Sequence, residues 1–206
     1  MKIETFVIGM VSTNCYLVIN EETKETVVID LGGSPDYFIN HIKNEGLTVR
    51  AVLLTHGHFD HILGLPDFLK EFDVPVYAHQ DELPLLADAS LNLSASYTKG
   101  YTFTDVIAIQ DEEVLQLAGM QFKAIHTAGH TNGGVCYYVE EEQVLFSGDT
   151  LFRASVGRSD FPTGDEAKLR CSVKEKLLTL PENVQVYSGH MEMTSIAYEK
   201  KHNPYA

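Results

Sequence analysis

The sequence predicts a single mixed α/β domain spanning residues 1–206, and three observations predict it. Four separate apolar strands each run into histidine or aspartate with glycine close by, at His56 to His61, His130, Asp149 and His190. Helical patterns are interspersed among two strand-rich halves, too irregularly for a doubly wound nucleotide fold, and no G-x-G-x-x-G or Walker pattern occurs. A length of 206 residues is enough for one domain to bury its own core. If the four strand ends lie along one edge, their polar residues converge in a cleft.

Taken in order, residues 3–8, 15–19 and 27–30 read as an opening β-meander, with turns at 9–14 and 20–25. Gly32-Gly33-Ser34-Pro35 ends the third strand and starts a helix, with Ser34 as its N-cap and Pro35 at its first position. That helix places Tyr37, Phe38, Ile39 and Ile42 at amphipathic spacing, with His41 as a surface residue. Val49 to Leu54 is a nearly continuous apolar run, as expected of a strand buried on both faces. Residues 62–72 read as a helix, Val74 to Tyr77 as a short strand, and the segment holding Glu82, Leu83, Leu85 and Leu86 as another helix. His79, alone between them, reads as a hydrogen-bonded structural residue. Residues 88–105 show no convincing periodicity and hold Tyr97, Tyr101 and Phe103, so they form either a pocket wall or lid or a packed surface excursion.

The second half supplies strands near 106–109, 113–117, 120–125, 134–139 and 144–147. A polar loop from Arg153 to Thr163 then precedes a helix over 165–178, a last strand at 184–187, and a short terminal helix from Thr194 to Asn203-Pro204. Cys15, Cys136 and Cys171 are widely spaced without C-x-x-C and read as reduced packing residues.

The stretch Thr55-His56-Gly57-His58-Phe59-Asp60-His61 carries the chemistry. In an extended segment His56 and His58 point the same way, and Asp60 and His61 follow where the chain must turn. Crowded imidazoles repel when protonated, so this loop reads as a metal site. The net charge of −14 argues against nucleic acid or an anionic membrane as partner. The first residues hold no apolar run long enough for a signal or a span, so a cytoplasmic location is expected.

These residues resemble the metallo-β-lactamase superfamily over essentially the whole chain. The motif H-x-H-x-D-H stands as His56, His58, Asp60 and His61, followed by His130 in T-A-G-H-T, Asp149 in F-S-G-D-T and His190 in Y-S-G-H. Gly157-Arg158-Ser159-Asp160, Glu199 and Asn203-Pro204 resemble the glyoxalase II (hydroxyacylglutathione hydrolase) branch, in a short form lacking that branch's C-terminal helical domain. Two departures stand out: Met191 follows His190 where the family usually has glycine, and Asn132 follows Thr131 where proline is usual.

The resemblance implies a four-layer αββα sandwich with two divalent metal ions, zinc in preference to iron or manganese, at one edge of the sheets. One metal would take His56, His58 and His130, the other Asp60, His61 and His190, with Asp149 bridging. The implied reaction is attack of metal-bound hydroxide on a small-molecule acyl-thiol such as a hydroxyacylglutathione, with Asp60 holding the nucleophile as the catalytic residue. Arg158 and Asp160 are expected to form an internal ion pair pinning the loop beside Asp149, and His126 either to support the ligands from behind or to be structural. The competing readings are a mononuclear iron persulfide dioxygenase using His56, His130 and Asp149, a nuclease, and a metal-stabilised binding protein without turnover.

Overall fold

The computed structural model describes residues 1–205. Its first half contains β1 (Lys2–Ile8), β2 (Thr13–Ile19), β3 (Glu25–Ile29), α1 (Asp36–Asn44), β4 (Thr48–Leu53), α2 (Phe59–Ile62), α3 (Leu65–Glu71), β5 (Val76–His79), α4 (Leu83–Leu86), α5 (Ser94–Tyr97) and β6 (Ile107–Ile109). The second contains β7 (Val114–Leu117), β8 (Met120–His126), β9 (Val135–Val139), β10 (Val144–Gly148), β11 (Leu151–Phe152), β12 (Ser155–Val156), α6 (Glu166–Cys171), β13 (Gln185–Ser188), β14 (Thr194–Ser195) and α7 (Ile196–His202). One six-stranded sheet runs β1-β2-β3-β4-β5-β6, a second runs β14-β13-β10-β9-β8-β7, and β11 pairs only with β12.

Side-chain alternation turns these two sheets into four layers. Along β2, Cys15, Leu17 and Ile19 join the cluster that packs under α1 and α3 with Phe38, Ile42 and Phe68. Tyr16 and Val18 point the other way, into the cluster between the sheets with Phe122, Tyr137 and Phe146. On the second sheet Ile125, Cys136, Tyr138, Leu145 and Val186 face a third cluster with Val173, Leu177 and Ile196 from the C-terminal helices. A strand buried on both faces cannot show a polar alternation, which is why β2, β9 and β10 read as unbroken apolar runs. Each fully buried aromatic or aliphatic side chain contributes about 1.5–3 kcal/mol to holding the layers together. The predicted αββα sandwich is the observed architecture.

Local expectations needed correction in four places. Pro35, not Ser34, is the N-cap of α1, and it offers no side-chain cap bond. The predicted 62–72 helix is two helices, α2 and α3, separated at Leu63 and Gly64, and an added Cβ at Gly64 would lie 2.4 Å from the Gly33 carbonyl oxygen. The 165–178 helix passes from α6 through a π-helical stretch, Ser172–Lys176, into a 3₁₀ turn at Leu177–Thr179. Cys15 and Cys136 are buried as expected, but Cys171 is exposed.

Candidate metal centre

Four strand ends deliver the site. β4 and β5 run parallel, and after β4 the Thr55 carbonyl accepts the Val135 N–H at 2.8 Å, which fixes the start of the histidine loop against the second sheet. His56 and His58 are extended, and α2 then carries Asp60 and His61 in its single turn. Asp149 follows β10 at Gly148, whose φ of +48° suits glycine and where a Cβ would lie 2.3 Å from Thr55 Oγ1. His190 follows β13 at Gly189, where a Cβ would lie 2.2 Å from Asp149 Oδ1. His130 sits in the loop after β8, its Nδ1 2.7 Å from the Arg158 carbonyl oxygen.

All seven predicted ligand residues meet in one place. Three groups have converging donor atoms within 4.8 Å of one another: His56 with His58 and His130, Asp60 with His61 and His190, and His56 with His61 and Asp149. His58 Nδ1 is 2.9 Å from His130 Nε2, and His190 Nε2 is 3.1 Å from Asp60 Oδ2. Asp149 Oδ2 lies 3.6 Å from His130 Nε2 and 3.5 Å from His190 Nε2, so this carboxylate stands between the two outer groups.

The electrostatics divide the site. Burial, followed by the neighbouring imidazoles, pushes the pKa of His56 and His58 well below the usual histidine value, and burial lowers that of His130. A lowered pKa favours the neutral imidazole, which is the form that ligates. For His61 burial acts in the same direction, but the carboxylates of Asp60, Asp30 and Asp149 outweigh it and raise the pKa to about 10. Burial opposes ionisation of Asp60, yet His61 and His190 hold its carboxyl well below the usual range.

Buried His56 Nε2, His58 Nε2, His61 Nε2 and Asp149 Oδ1 have no hydrogen-bond partner. Leaving such atoms unsatisfied costs about 1–3 kcal/mol each. Nitrogen and carboxylate donors converging with orphaned lone pairs fit a pair of divalent cations of zinc or iron type.

Several supporting residues were not anticipated from sequence. Asp30 Oδ2 is 2.8 Å from His61 Nδ1, and the same carboxylate accepts the Thr55 N–H and O–H at 2.8 and 2.7 Å. Buried Glu82 accepts the Gly57 N–H at 2.7 Å and both the Thr131 O–H and the Gly133 N–H at 2.9 Å, tying the His56–His58 loop to the His130 loop. Thr13 Oγ1 donates to Asp60 Oδ2 at 3.1 Å. Asp30 could have been found by the rule that found the others, since it ends an apolar strand beside glycines. Glu82 lies on a 3₁₀ turn among other acids and carries no such signal.

Residues outside the site are also accounted for. His79 is buried, accepts the Asp81 N–H at 3.3 Å and stacks on His126 at 3.9 Å, while His126 Nε2 reaches the Asn132 carbonyl at 2.9 Å. These contacts hold both rings, and with Asp81 the two histidines form a further group whose donor atoms lie within 4.8 Å of one another. Arg158 makes two 2.7 Å bonds to Asp160 and stacks its guanidinium on Phe161 at 3.7 Å. The pair is largely exposed rather than internal. The 88–105 region packs through buried Asn92, Leu93 and Ser94, and Tyr97 stacks on Phe59 at 4.7 Å to form one wall of a cleft of about 550 Å³. His58, Asp60, His130, Asp149 and His190 line the inside of this cleft, the first three of them buried.

Comparison with known proteins agrees with this geometry. Residues 8–190 match the family described as the Metallo-beta-lactamase superfamily. The chain is 38% identical to the "Probable metallo-hydrolase YqgX" of Bacillus subtilis over all of this chain and 97% of that one. It is 32% identical to the "Hydroxyacylglutathione hydrolase GloC" of Haemophilus influenzae over all of this chain and 98% of that one. Among solved structures, the BLEG-1 B3 metallo-beta-lactamase superposes with a TM-score of 0.93 at 40% identity, covering 99% of each chain. TTHA1623 in a di-iron-bound form superposes with a TM-score of 0.87 at 35% identity, covering 98% of this chain and all of that one. With its sandwich, its strand-end ligand set and these relatives in agreement, the chain belongs to the metallo-β-lactamase superfamily of metal-dependent hydrolases.

Proposed function

We propose that this chain is a glyoxalase II-like hydrolase of small acyl-thiols, folded as one domain over residues 1–206 and working in the cytoplasm. The observation that carries the reading is the position of Asp149 between two three-residue donor groups on the floor of an open cleft. A structural zinc site is closed by four ligands and needs neither a second donor group nor a cleft. The hydroxyacylglutathione hydrolase among the relatives supports a thioester as substrate.

His56, His58 and His130 would hold one divalent ion and Asp60, His61 and His190 the other, with Asp149 shared; zinc suits the donors, and iron is the alternative. When bound, such ions lower the pKa of water to about 7 and polarise a carbonyl oxygen. Asp60, held ionised and partly open to the cleft, accepts a hydrogen bond from the attacking water and orients its lone pair. Thr13 fixes that carboxylate from behind. The water oxygen bonds to the thioester carbon and the carbon–sulfur bond breaks with its electron pair on sulfur; of the two water protons one goes to the thiolate and the other to solvent, so the products are a carboxylate and a thiol. A thiol pKa near 8.5 makes the thiolate a better leaving group than an amine, so no strong acid is required of the site.

The test is metal analysis of the native protein followed by assays of S-lactoylglutathione, simple thioesters, a lactone and a β-lactam. The reading requires thioester cleavage, lost by about 10²-fold or more in a folded Asp60→Ala variant whose metal content is measured in parallel. One iron per chain with oxygen uptake on glutathione persulfide would contradict it, as would hydrolysis undiminished by the substitution.

A further inference from the structure

Three residues lining the cleft hold left-handed backbone conformations without being glycine: Ser12 at φ 61°, Leu93 at φ 67° and Met191 at φ 63°. Such conformations persist only where surrounding contacts impose them, and they cluster at functional sites. At Met191 the imposing contact is Asn14, whose Nδ2 donates to the Met191 carbonyl at 3.0 Å and to the Ser188 carbonyl at 2.9 Å. Glycine would adopt this conformation without strain. Methionine stands there instead, and its side chain is 71% exposed, so it fills no core. It sits at the mouth of the cleft beside His190.

Other segments add apolar surface to the same opening. Val11 comes from the β1–β2 turn at 47% exposure and Tyr97 from α5 at 51%. Exposed apolar side chains gathered from three separate parts of the chain around one cleft mark a binding surface.

The charge around the opening points the same way. Among the described residues, Arg158 is the one lysine or arginine lining the cleft, and its guanidinium is already engaged by Asp160 and Phe161. Asp60 and Asp149 lie on the floor, and the whole chain carries a net charge of −14. Two divalent ions would offset those floor carboxylates, so the repelling field that an anionic carrier such as glutathione meets is that of the chain as a whole, which stays strongly negative with both ions bound, and the one cationic side chain of the lining is already paired.

We infer that the rim formed by Met191, Val11 and Tyr97 selects acyl-thiols whose acyl group is apolar and whose thiol carrier is uncharged, over thioesters of anionic carriers. This rests on the thioester-hydrolase reading above and narrows it. Met191 is the specificity-determining residue: in place of the glycine that its backbone conformation favours, it supplies an apolar side chain that meets the substrate.

The experiment compares kcat/KM of the metal-loaded protein on S-hexanoyl-N-acetylcysteamine and on S-lactoylglutathione, for the parent, Met191→Gly and Met191→Lys. Binding of the uncleavable thioether S-hexyl-N-acetylcysteamine is measured by calorimetry on metal-loaded and metal-free protein, with metal content and thermal midpoint as further readouts. The parent should favour the neutral hexanoyl ester by about tenfold or more, the ratio expected of one or two methylene-sized apolar contacts. Met191→Gly should lower that ratio and weaken thioether binding without lowering the thermal midpoint or the metal content. Met191→Lys should move the preference toward S-lactoylglutathione. Equal or greater kcat/KM on S-lactoylglutathione in the parent, or thioether binding unchanged in Met191→Gly, overturns the inference and leaves thioester hydrolysis standing. Failure of the metal-loaded parent to cleave either ester overturns the hydrolase reading and the inference together.

Discussion

Asp30 Oδ2 lies 2.8 Å from His61 Nδ1, and both side chains are almost completely buried. The carboxylate therefore fixes which face of the imidazole turns toward Asp60 and Asp149, and its bonds to Thr55 lock it in place. In Asp30→Asn the amide N–H₂ opposes donors on His61 and Thr55. Metal affinity is expected to fall about 10–100-fold, read by competition against a chromogenic chelator, with the folded state retained.

Gly189 has no room for a methyl group. A Cβ there would lie 2.2 Å from Asp149 Oδ1 and 2.9 Å from His61 Cε1, while its φ places no restriction on alanine. Gly189→Ala should therefore displace Asp149 and lower the bound metal per chain, with far-ultraviolet circular dichroism unchanged. Elemental analysis checks it.

Burial raises the Glu82 pKa to about 7 despite its hydrogen bonds to Gly57, Thr131 and Gly133. Because this folded-state pKa lies above the unfolded value of 4.5, the contribution of Glu82 to stability is greatest below pH 4.5 and declines as pH rises through 7. The decline is on the order of 3 kcal/mol. Glu82→Gln cannot ionise, so the unfolding free energy of the parent relative to this variant should fall over that window. Denaturant titrations of both metal-free proteins from pH 4 to pH 8 measure it.

The Arg158 side chain and the Arg158 backbone have separate jobs. The carbonyl holds His130 Nδ1, whereas the guanidinium is spent on an exposed pair with Asp160. Arg158→Ala is accordingly expected to change stability by only about 0–1 kcal/mol and to leave metal content intact. A chevron or melt together with metal analysis distinguishes the two jobs.

What could be read in the sequence was whatever depends on periodicity and on residue type at a strand end. The two-faced burial of β2 and β10 makes apolar runs, and the candidate ligands follow strand ends, His56 to His61 after β4 and Asp149 after β10, whereas β8 and β13, before His130 and His190, alternate buried with more exposed residues. Features fixed by contacts remote in sequence were hidden. The close approach of Gly33 to Gly64 joins two distant stretches of the chain, and Glu82 acquires its role only when the loops of Gly57 and Gly133 close on it. The two-residue strands β11, β12 and β14 are too short to carry a period of their own. Met191 was visible as a departure from the family pattern, but its left-handed backbone was not.

The most direct test of the central claim is a titration of metal-free protein with zinc, following bound metal and thioester hydrolysis in the same samples. The account predicts that hydrolysis appears with the metal and is complete at two equivalents per chain. Thioester cleavage by protein stripped of metal, or two bound equivalents with no cleavage of any thioester, would contradict it.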